Sequence, residues 1–201
     1  ESGKFDRNRV RIVWHDLRSP IMETLARRIG HVDYIVNMAS NTHIDHSIAD
    51  PVPFVRNNVD IALHTLEYAR SLKLKAFVQI STDEVYGSIS DTSWGYSELS
   101  PINPSNPYSA SKACMVAIAI AYWRTYGVPL VIVEPMNAYG ERQDREKFVP
   151  KCIRAISDGE KVLLHGTPQN IGSRHYLHAR NISDAILFLL NRPVATYPET
   201  E

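Results

Sequence analysis

Four short runs along the chain are apolar, rich in β-branched residues and almost free of polar interruption: Val10–Trp14, Tyr34–Met38, Ala76–Ile80 and Leu130–Val133. Unbroken apolarity over four or five positions predicts strands covered on both faces, because a half-exposed strand alternates instead. Between these runs the apolar spacing changes to three and four. Met22, Leu25 and Ile29 predict a short amphipathic helix. Val55, Val59, Ala62, Leu63, Leu66 and Ala69 predict a longer one, opened by Pro51 and Pro53, which suit a first helical turn. An Ala-rich helix is expected from Tyr108 to about Tyr126, ended by Gly127. Two more are expected at Phe148–Ser157 and from about Asn181, a suitable cap, onward through Ile182, Ala185, Ile186, Leu189 and Leu190. Strands joined by single helices require right-handed crossovers, so the expected fold class is α/β, a doubly wound parallel sheet.

Composition narrows the function classes. The chain has 201 residues, 44% of them hydrophobic and 22% charged, which suits one large globular domain, or one and part of another, and argues against disorder. Lys and Arg number 22 and so do Asp and Glu, a balance unlike that of proteins that coat nucleic acid or anionic membranes. Trp14, Trp94 and Trp123 show no stacking periodicity with basic residues, so neither nucleic acid nor membrane is an expected partner. There is no apolar run of about 18 residues and no apolar segment behind the first residues, so neither a membrane span nor a secretory signal is expected. Cys114 and Cys152 form no CxxC or zinc pattern, which points to a reduced, cytoplasmic protein, with Cys114 expected as a small buried side chain.

Ligands of open α/β sheets collect beyond the carboxyl ends of the strands. The residues found there are small and polar: His15, Asp16 and Leu17; Ala39, Ser40, Asn41 and Thr42; Ser81 through Gly87; and Pro135 through Gly140. Tyr108 and Lys112 stand four apart and share one helix face. An ammonium beside a phenol stabilises the phenolate, so the pair suits a base of lowered pKa, although it also suits two residues on a solvated face. Asp83 and Glu84 are adjacent at a strand end. Crowding separates the pKa values of two carboxyl groups into an acid and a base, whereas a solvated turn leaves them alike. His43 with His46, and His175 with His178, are His-x-x-His pairs without further ligands at metal spacing, so no metal is expected.

Five segments, NMASNTHIDHSIADP (37–51), ISTDEVYG (80–87), INPSNPYSASKA (102–113), MNAYGERQDREKFVP (136–150) and IGSRHYL (171–177), follow one another in a familiar order. Together they resemble the extended short-chain dehydrogenase/reductase superfamily, and within its NAD-dependent epimerase/dehydratase family most closely the nucleotide-sugar 4,6-dehydratases that act on dTDP-glucose. The resemblance covers nearly the whole chain. It implies a Rossmann-like fold that is a lyase with NAD as cofactor and a nucleotide diphosphate sugar as substrate. Asp16 and Leu17 then meet the adenosine end of NAD, while Met38, Ala39, Ser40, Asn41, Asn57, Ser81 and Ala138 line the cofactor. Tyr108 and Lys112 become the catalytic pair, with Lys112 also on the nicotinamide ribose. Thr82, Asp83 and Glu84 match the dehydratase signature. Thr42, Thr82, Asn137, Lys147, Phe148 and Arg174 match positions that hold the sugar nucleotide, and the fork of Arg174 suits a diphosphate. The implied chemistry is transient oxidation at C4, removal of the C5 proton by Glu84, protonation of the leaving 6-hydroxyl by Asp83, and return of hydride to C6.

The sequence also departs from the pattern. The family's opening strand and Gly-x-x-Gly-x-x-Gly turn are not among its nine glycines' positions, so the fold is expected to be incomplete at the N-terminus, a fragment that binds NAD poorly. Residues 1–145 are expected as a partial NAD-binding domain, and 146–201 as part of a small substrate lobe interleaved with the last Rossmann elements. Ala138, Glu141 and Asn181 stand where the resemblance leads one to expect Asn, Pro and Asp. Helices 54–70 and 108–126 each carry more small and apolar surface than one sheet needs, and the resemblance implies a homodimer through them. The alternatives are a sibling epimerase or decarboxylase, which usually lacks Asp at position 83, and a non-catalytic sugar-nucleotide-binding fragment.

Overall fold

The computed structural model describes residues 9–88, 95–162, 164, 166–167 and 170–194. Trp94 lies outside them. Three parallel strands, β1 (Tyr34–Asn37), β2 (Ala76–Ile80) and β3 (Leu130–Val133), form the main sheet in the order β1-β2-β3, with Tyr34 opposite Ala76 and Phe77 opposite Leu130. The helices are α1 (Glu23–Ile29), α2 (Ile44–Ala49), α3 (Pro51–Arg70), α4 (Pro107–Tyr126), α5 (Phe148–Ser157) and α6 (Ala179–Leu190). Two smaller ladders complete the described chain: β4 (Asn137–Tyr139) runs parallel to β7 (Tyr176–His178), and β5 (Gly166–Thr167) pairs antiparallel with β6 (Asn170–Ile171).

β2 explains why an unbroken apolar run is needed. All five of its residues are buried, and they point to opposite faces in alternation. Phe77 packs with Leu66 and Ala69 of α3 and Ala119 of α4, while Val78 and Ile80 pack with Ile182 and Ile186 of α6. Helices therefore cover both faces, as a doubly wound sheet requires. Each large side chain fully buried here contributes about 1.5–3 kcal/mol. Gln79 is the polar exception, and its amide is satisfied: Oε1 accepts from Asn37 Nδ2 at 3.0 Å and Nε2 donates to Ile80 O at 3.0 Å. The start of α4 is fixed by Asn106, whose Oδ1 accepts from Ser109 N at 2.9 Å, with Pro107 next in the first turn. Its end is Gly127, at φ +68°.

Several expectations are corrected. Val10–Trp14 is not a strand: among the described residues it pairs with nothing, and Ile12 and Trp14 are 64% and 90% exposed. Apolar, β-branched composition confers propensity, but a strand exists only where a partner completes the ladder. Met38 has left the β1 ladder, which ends at Asn37. α6 begins two residues before Asn181 and is capped by His178, whose Nδ1 accepts from Arg180 N at 3.2 Å. Cys114 is exposed, because it lies on the side of α4 turned away from the buried residues Ala113 and Met115. α2, β4 and β7 are too short to leave a periodic signal in the sequence.

Candidate active site

The carboxyl ends of β1, β2 and β3 deliver residues 38–43, 81–87 and 134–140 to one edge, and the first turns of α4 face it. Burial there is uneven. Lys112 is 2% exposed, and its Nζ donates to Ile80 O at 2.7 Å and reaches Ser40 Oγ at 3.5 Å. Burial penalises the ammonium and draws its pKa down to about 8. Tyr108 is buried as well. Its N–H donates to Ser47 Oγ at 3.2 Å, and the edge of Phe54 meets its ring at 86°. Burial pushes the phenol up to about 12; the charge of Glu84 and, less, that of Asp83 push the same way, while a hydrogen bond with Thr82 pulls it back. The phenol is thus not acidified as the Tyr–Lys spacing leads one to expect: burial first, and then the two nearby carboxyl groups, raise it, while the Lys112 ammonium donates to the Ile80 carbonyl.

Those carboxyl groups sit on a 3₁₀ turn, Asp83–Tyr86, that directly follows β2. Thr82 caps the turn by accepting from Glu84 N at 3.3 Å and donates to Asp83 Oδ1 at 3.3 Å. Glu84 is raised above the usual carboxylate range, first by burial and then by the charge of Asp83. A hydrogen bond from Asn106 and the charges of Arg174 and Lys147 act against that rise. The turn therefore brings Thr82, Asp83, Glu84 and Tyr108 into one electrostatic unit, with two cations of the C-terminal segments beside it. Lys147 also donates to Thr42 O at 3.1 Å, which ties the entrance of α5 to the residues after β1. Phe148 is half-exposed at the first position of α5, and Asn137 Nδ2 donates to His175 O at 3.5 Å. Arg174 donates to Ser173 O at 2.8 Å and is otherwise solvent-facing.

The remaining positions divide in two. Asn41 is clamped through its backbone: Asn58 Oδ1 accepts from Asn41 N at 2.7 Å and Asn58 Nδ2 donates to Asn41 O at 3.1 Å. Asn57 donates to Asn58 Oδ1 at 3.0 Å. Leu17 and Ala39 pack on Ile61, Ala62 and Met115, and together with the exposed Met38 they line a cleft beside β1. Asp16 is committed elsewhere: Arg18 grips it with Nε and Nη2 at 3.0 and 2.6 Å, which holds its carboxyl down at about 2. Ala138 is exposed, with its carbonyl accepting from Gln143 Nε2 at 2.7 Å. Ser81 is buried with an Oγ that has no hydrogen-bond partner. Lys112 Nζ and Ser40 Oγ, 3.5 Å apart, offer a donor and a hydroxyl that fit the vicinal hydroxyls of a ribose. Among the described residues no three His, Cys, Asp or Glu side chains are grouped to hold a metal, and no described helix is long and apolar enough to cross a membrane.

Sequence reasoning missed the residues that hold this site in place. Asn58, 0% exposed, joins Asn41 to Ser111 Oγ at 2.8 Å. Its signal was available as a polar residue on the mostly apolar stripe of Phe54, Ile61, Ala62 and Leu66. Asn106 both caps α4 and donates to Glu84, and a cap residue before Pro107 is also legible. Ser47, which receives the Tyr108 amide, left no such mark.

Residues 2–200 match the family described as "Epimerase: NAD dependent epimerase/dehydratase family". The chain is 34% identical over 185 residues to dTDP-D-glucose 4,6-dehydratase of Dictyostelium discoideum, covering 88% of this chain and 42% of that protein. It is 40% identical over 161 residues to dTDP-glucose 4,6-dehydratase of Streptomyces niveus, covering 80% and 46% respectively. Among solved structures, the DesIV double mutant (dTDP-glucose 4,6-dehydratase) from Streptomyces venezuelae, with NAD and DAU bound, superposes with a TM-score of 0.83 at 36% identity, over 94% of this chain and 57% of that one. The chain spans about half the length of the curated relatives it matches.

Proposed function

As the chain belongs to the NAD dependent epimerase/dehydratase family, we propose that it acts as a nucleotide-sugar 4,6-dehydratase, taking a dTDP-glucose-like substrate to the 4-keto-6-deoxy sugar. The observation that carries this reading is the unit of buried Tyr108 and Thr82 with half-buried Asp83 and Glu84, and Lys112 one helical turn further along. NAD, when bound, supplies a reversible acceptor for hydride. Lys112 and Ser40 suit its ribose; Asp16, Leu17, Met38, Ala39, Asn41, Asn57, Ser81 and Ala138 are the further positions assigned to it. Residues 1–145 then form the partial cofactor domain, which also lends Thr42, Thr82 and Asn137 to the sugar nucleotide, and 146–201 a partial substrate lobe interleaved with the last Rossmann elements, α6 among them.

The residues of the chain divide the proton work. Tyr108 takes the proton of the sugar 4-hydroxyl, and Thr82 holds that oxygen. A ketone at C4 makes the neighbouring C5 proton acidic, and Glu84 removes it. Its raised pKa makes it, once ionised, a stronger base than an exposed glutamate, so the proton the pair shares must stand on Asp83 when C5 is deprotonated. Asp83 gives its proton to the 6-hydroxyl, which leaves as water, so the substrate loses one water overall. A phenol at about 12 is a reluctant base while both carboxyl groups beside it are charged, so a pair sharing one proton also favours the Tyr108 step. Lys147, Arg174, Asn137, Phe148 and Thr42 are proposed to hold the sugar nucleotide, with Arg174 on the diphosphate.

The same reading includes a homodimer through the outer faces of α3 and α4, supported by the exposed small side chains Cys114, Ala117 and Ala121 on α4. It also includes a cytoplasmic setting, supported by the two free thiols. The test is incubation of the full native polypeptide with dTDP-glucose and NAD. A 4-keto-6-deoxy product one water lighter is expected. An epimer of unchanged mass, or loss of carbon dioxide from a glucuronate analogue, contradicts the assignment.

A further inference from the structure

The turn that carries Asp83 and Glu84 is held from behind by a residue that the reaction scheme above leaves unused. Glu134 directly follows β3, at the same sheet edge as the site. Half-buried there, its Oε2 accepts a hydrogen bond from the phenol of Tyr86, the last residue of the turn. Two backbone bonds fasten the same stretch to the same strand end: Ser81 N donates to Val133 O at 2.7 Å and Asp83 N to Pro135 O at 3.4 Å. Tyr86 is buried with Val85 and Ala113, and its ring lies 5.5 Å from that of Tyr96. The groups that act on Glu134 are Tyr86 and Asp83 from the turn and Glu98 from the loop beyond it. Burial and the two carboxylates raise Glu134 above the usual range, and the Tyr86 hydrogen bond draws it back.

We propose that Glu134 is a positioning residue for the carboxylate pair: through Tyr86 it clamps the turn bearing Asp83 and Glu84 onto the end of β3, and it sets a third carboxyl group against Asp83. This rests on the elimination described above, which needs one carboxyl group of the pair protonated and the other ionised. In a poorly solvated cluster each negative charge makes the next ionisation harder. An ionised Glu134 therefore favours the pair with one proton over the pair with none. The two contributions are separable, since the clamp needs an oxygen that accepts from Tyr86 and the electrostatic effect needs the charge.

The test is a pH titration of the full native polypeptide labelled with ¹³C at the Asp and Glu carboxyl carbons, read by NMR. Rate profiles on dTDP-glucose with NAD run alongside. Glu134→Gln keeps an acceptor for Tyr86 and removes the charge. The midpoint for loss of the pair's last proton is expected to move down, and the alkaline limb of kcat with it, at unchanged KM. Tyr86→Phe keeps the charge and removes the donor. The Glu134 midpoint is then expected to rise, and kcat to fall roughly tenfold, the effect of one lost hydrogen bond. An unmoved pair midpoint in the first variant, or an unmoved Glu134 midpoint in the second, overturns the inference. The titrations need no turnover. Shifts as expected, without any 4-keto-6-deoxy product, support the role of Glu134 and refute the dehydratase reading instead.

Discussion

Replacing Lys112 with Met tests whether a charge is really held under the sheet edge, because the two side chains are of similar length and only one is an ammonium. The fall from 10.5 to about 8 corresponds to about 3 kcal/mol acting against the charged folded form. Near pH 7 Lys112 is charged in both states, so the wild type bears that full penalty. That shift already contains the hydrogen bond to Ile80 O, and Met leaves this carbonyl without its donor at a cost of roughly 1–3 kcal/mol. Near pH 7 the Met variant should therefore lie within about 2 kcal/mol of wild-type stability while losing activity. Between pH 8 and 10.5 the unfolded lysine keeps its proton and the folded one has released it. The unfolded state binds more protons there, so wild-type stability contains a term that rises with pH by up to about 1.4 kcal/mol per unit. The Met variant lacks that term. Urea denaturation of both proteins, followed by circular dichroism in half-unit steps across this window, should show the variant losing about 3 kcal/mol relative to wild type. A difference that stays flat across the window refutes the burial argument.

Asn58→Ala removes a fully buried amide that satisfies Asn41 N, Asn41 O and Ser111. It should cost about 3 kcal/mol in urea denaturation and weaken NAD binding measured by fluorescence. Gly87→Ala forces a left-handed residue, φ +84°, to carry a Cβ only 2.4 Å from Asn103 O. A loss of about 2 kcal/mol in thermal unfolding and a lower kcat are expected, since this glycine ends the turn that carries the carboxyl pair. The acid limb of the kcat profile should lie above the ordinary glutamate range. Burial and Asp83 raise Glu84, and below its pKa a protonated Glu84 cannot accept the C5 proton.

The central elements were legible because their residues face one environment along their length. β2 and β3 match their apolar runs residue for residue, and α5 matches Phe148–Ser157. Val10–Trp14 has the same composition yet forms no strand, since pairing is a property of the neighbour and not of the run. The position of Cys114 escaped for a related reason: in an Ala-rich helix neither face announces itself, and only the packing of α3 decides which is buried. At the site, the residue types at strand ends and the Tyr–Lys spacing pointed to side chains that the structure brings to one sheet edge. The direction of the Tyr108 shift did not follow from that spacing. It depends first on how deeply the phenol is buried and then on how close Glu84 and Asp83 approach, while the Lys112 ammonium finds its acceptor at the end of β2. Asn58 and Asn106 left a local mark, as a polar break in an apolar stripe and as a helix cap. Their partners Ser111 and Glu84, like the Tyr86 partner of Glu134, lie at long sequence separation, where spacing carries no information.

The division of labour between Asp83 and Glu84 is open to direct measurement by running the reaction in ²H₂O with dTDP-glucose and NAD, and following deuterium at C5 by mass spectrometry and NMR. Asp83→Asn should return hexose deuterated at C5 with little 4-keto-6-deoxy product, because the base still works while the leaving hydroxyl has no acid. Glu84→Gln should give neither exchange nor product. Exchange at C5 that persists without Glu84, or dehydration at the wild-type rate without Asp83, contradicts the account.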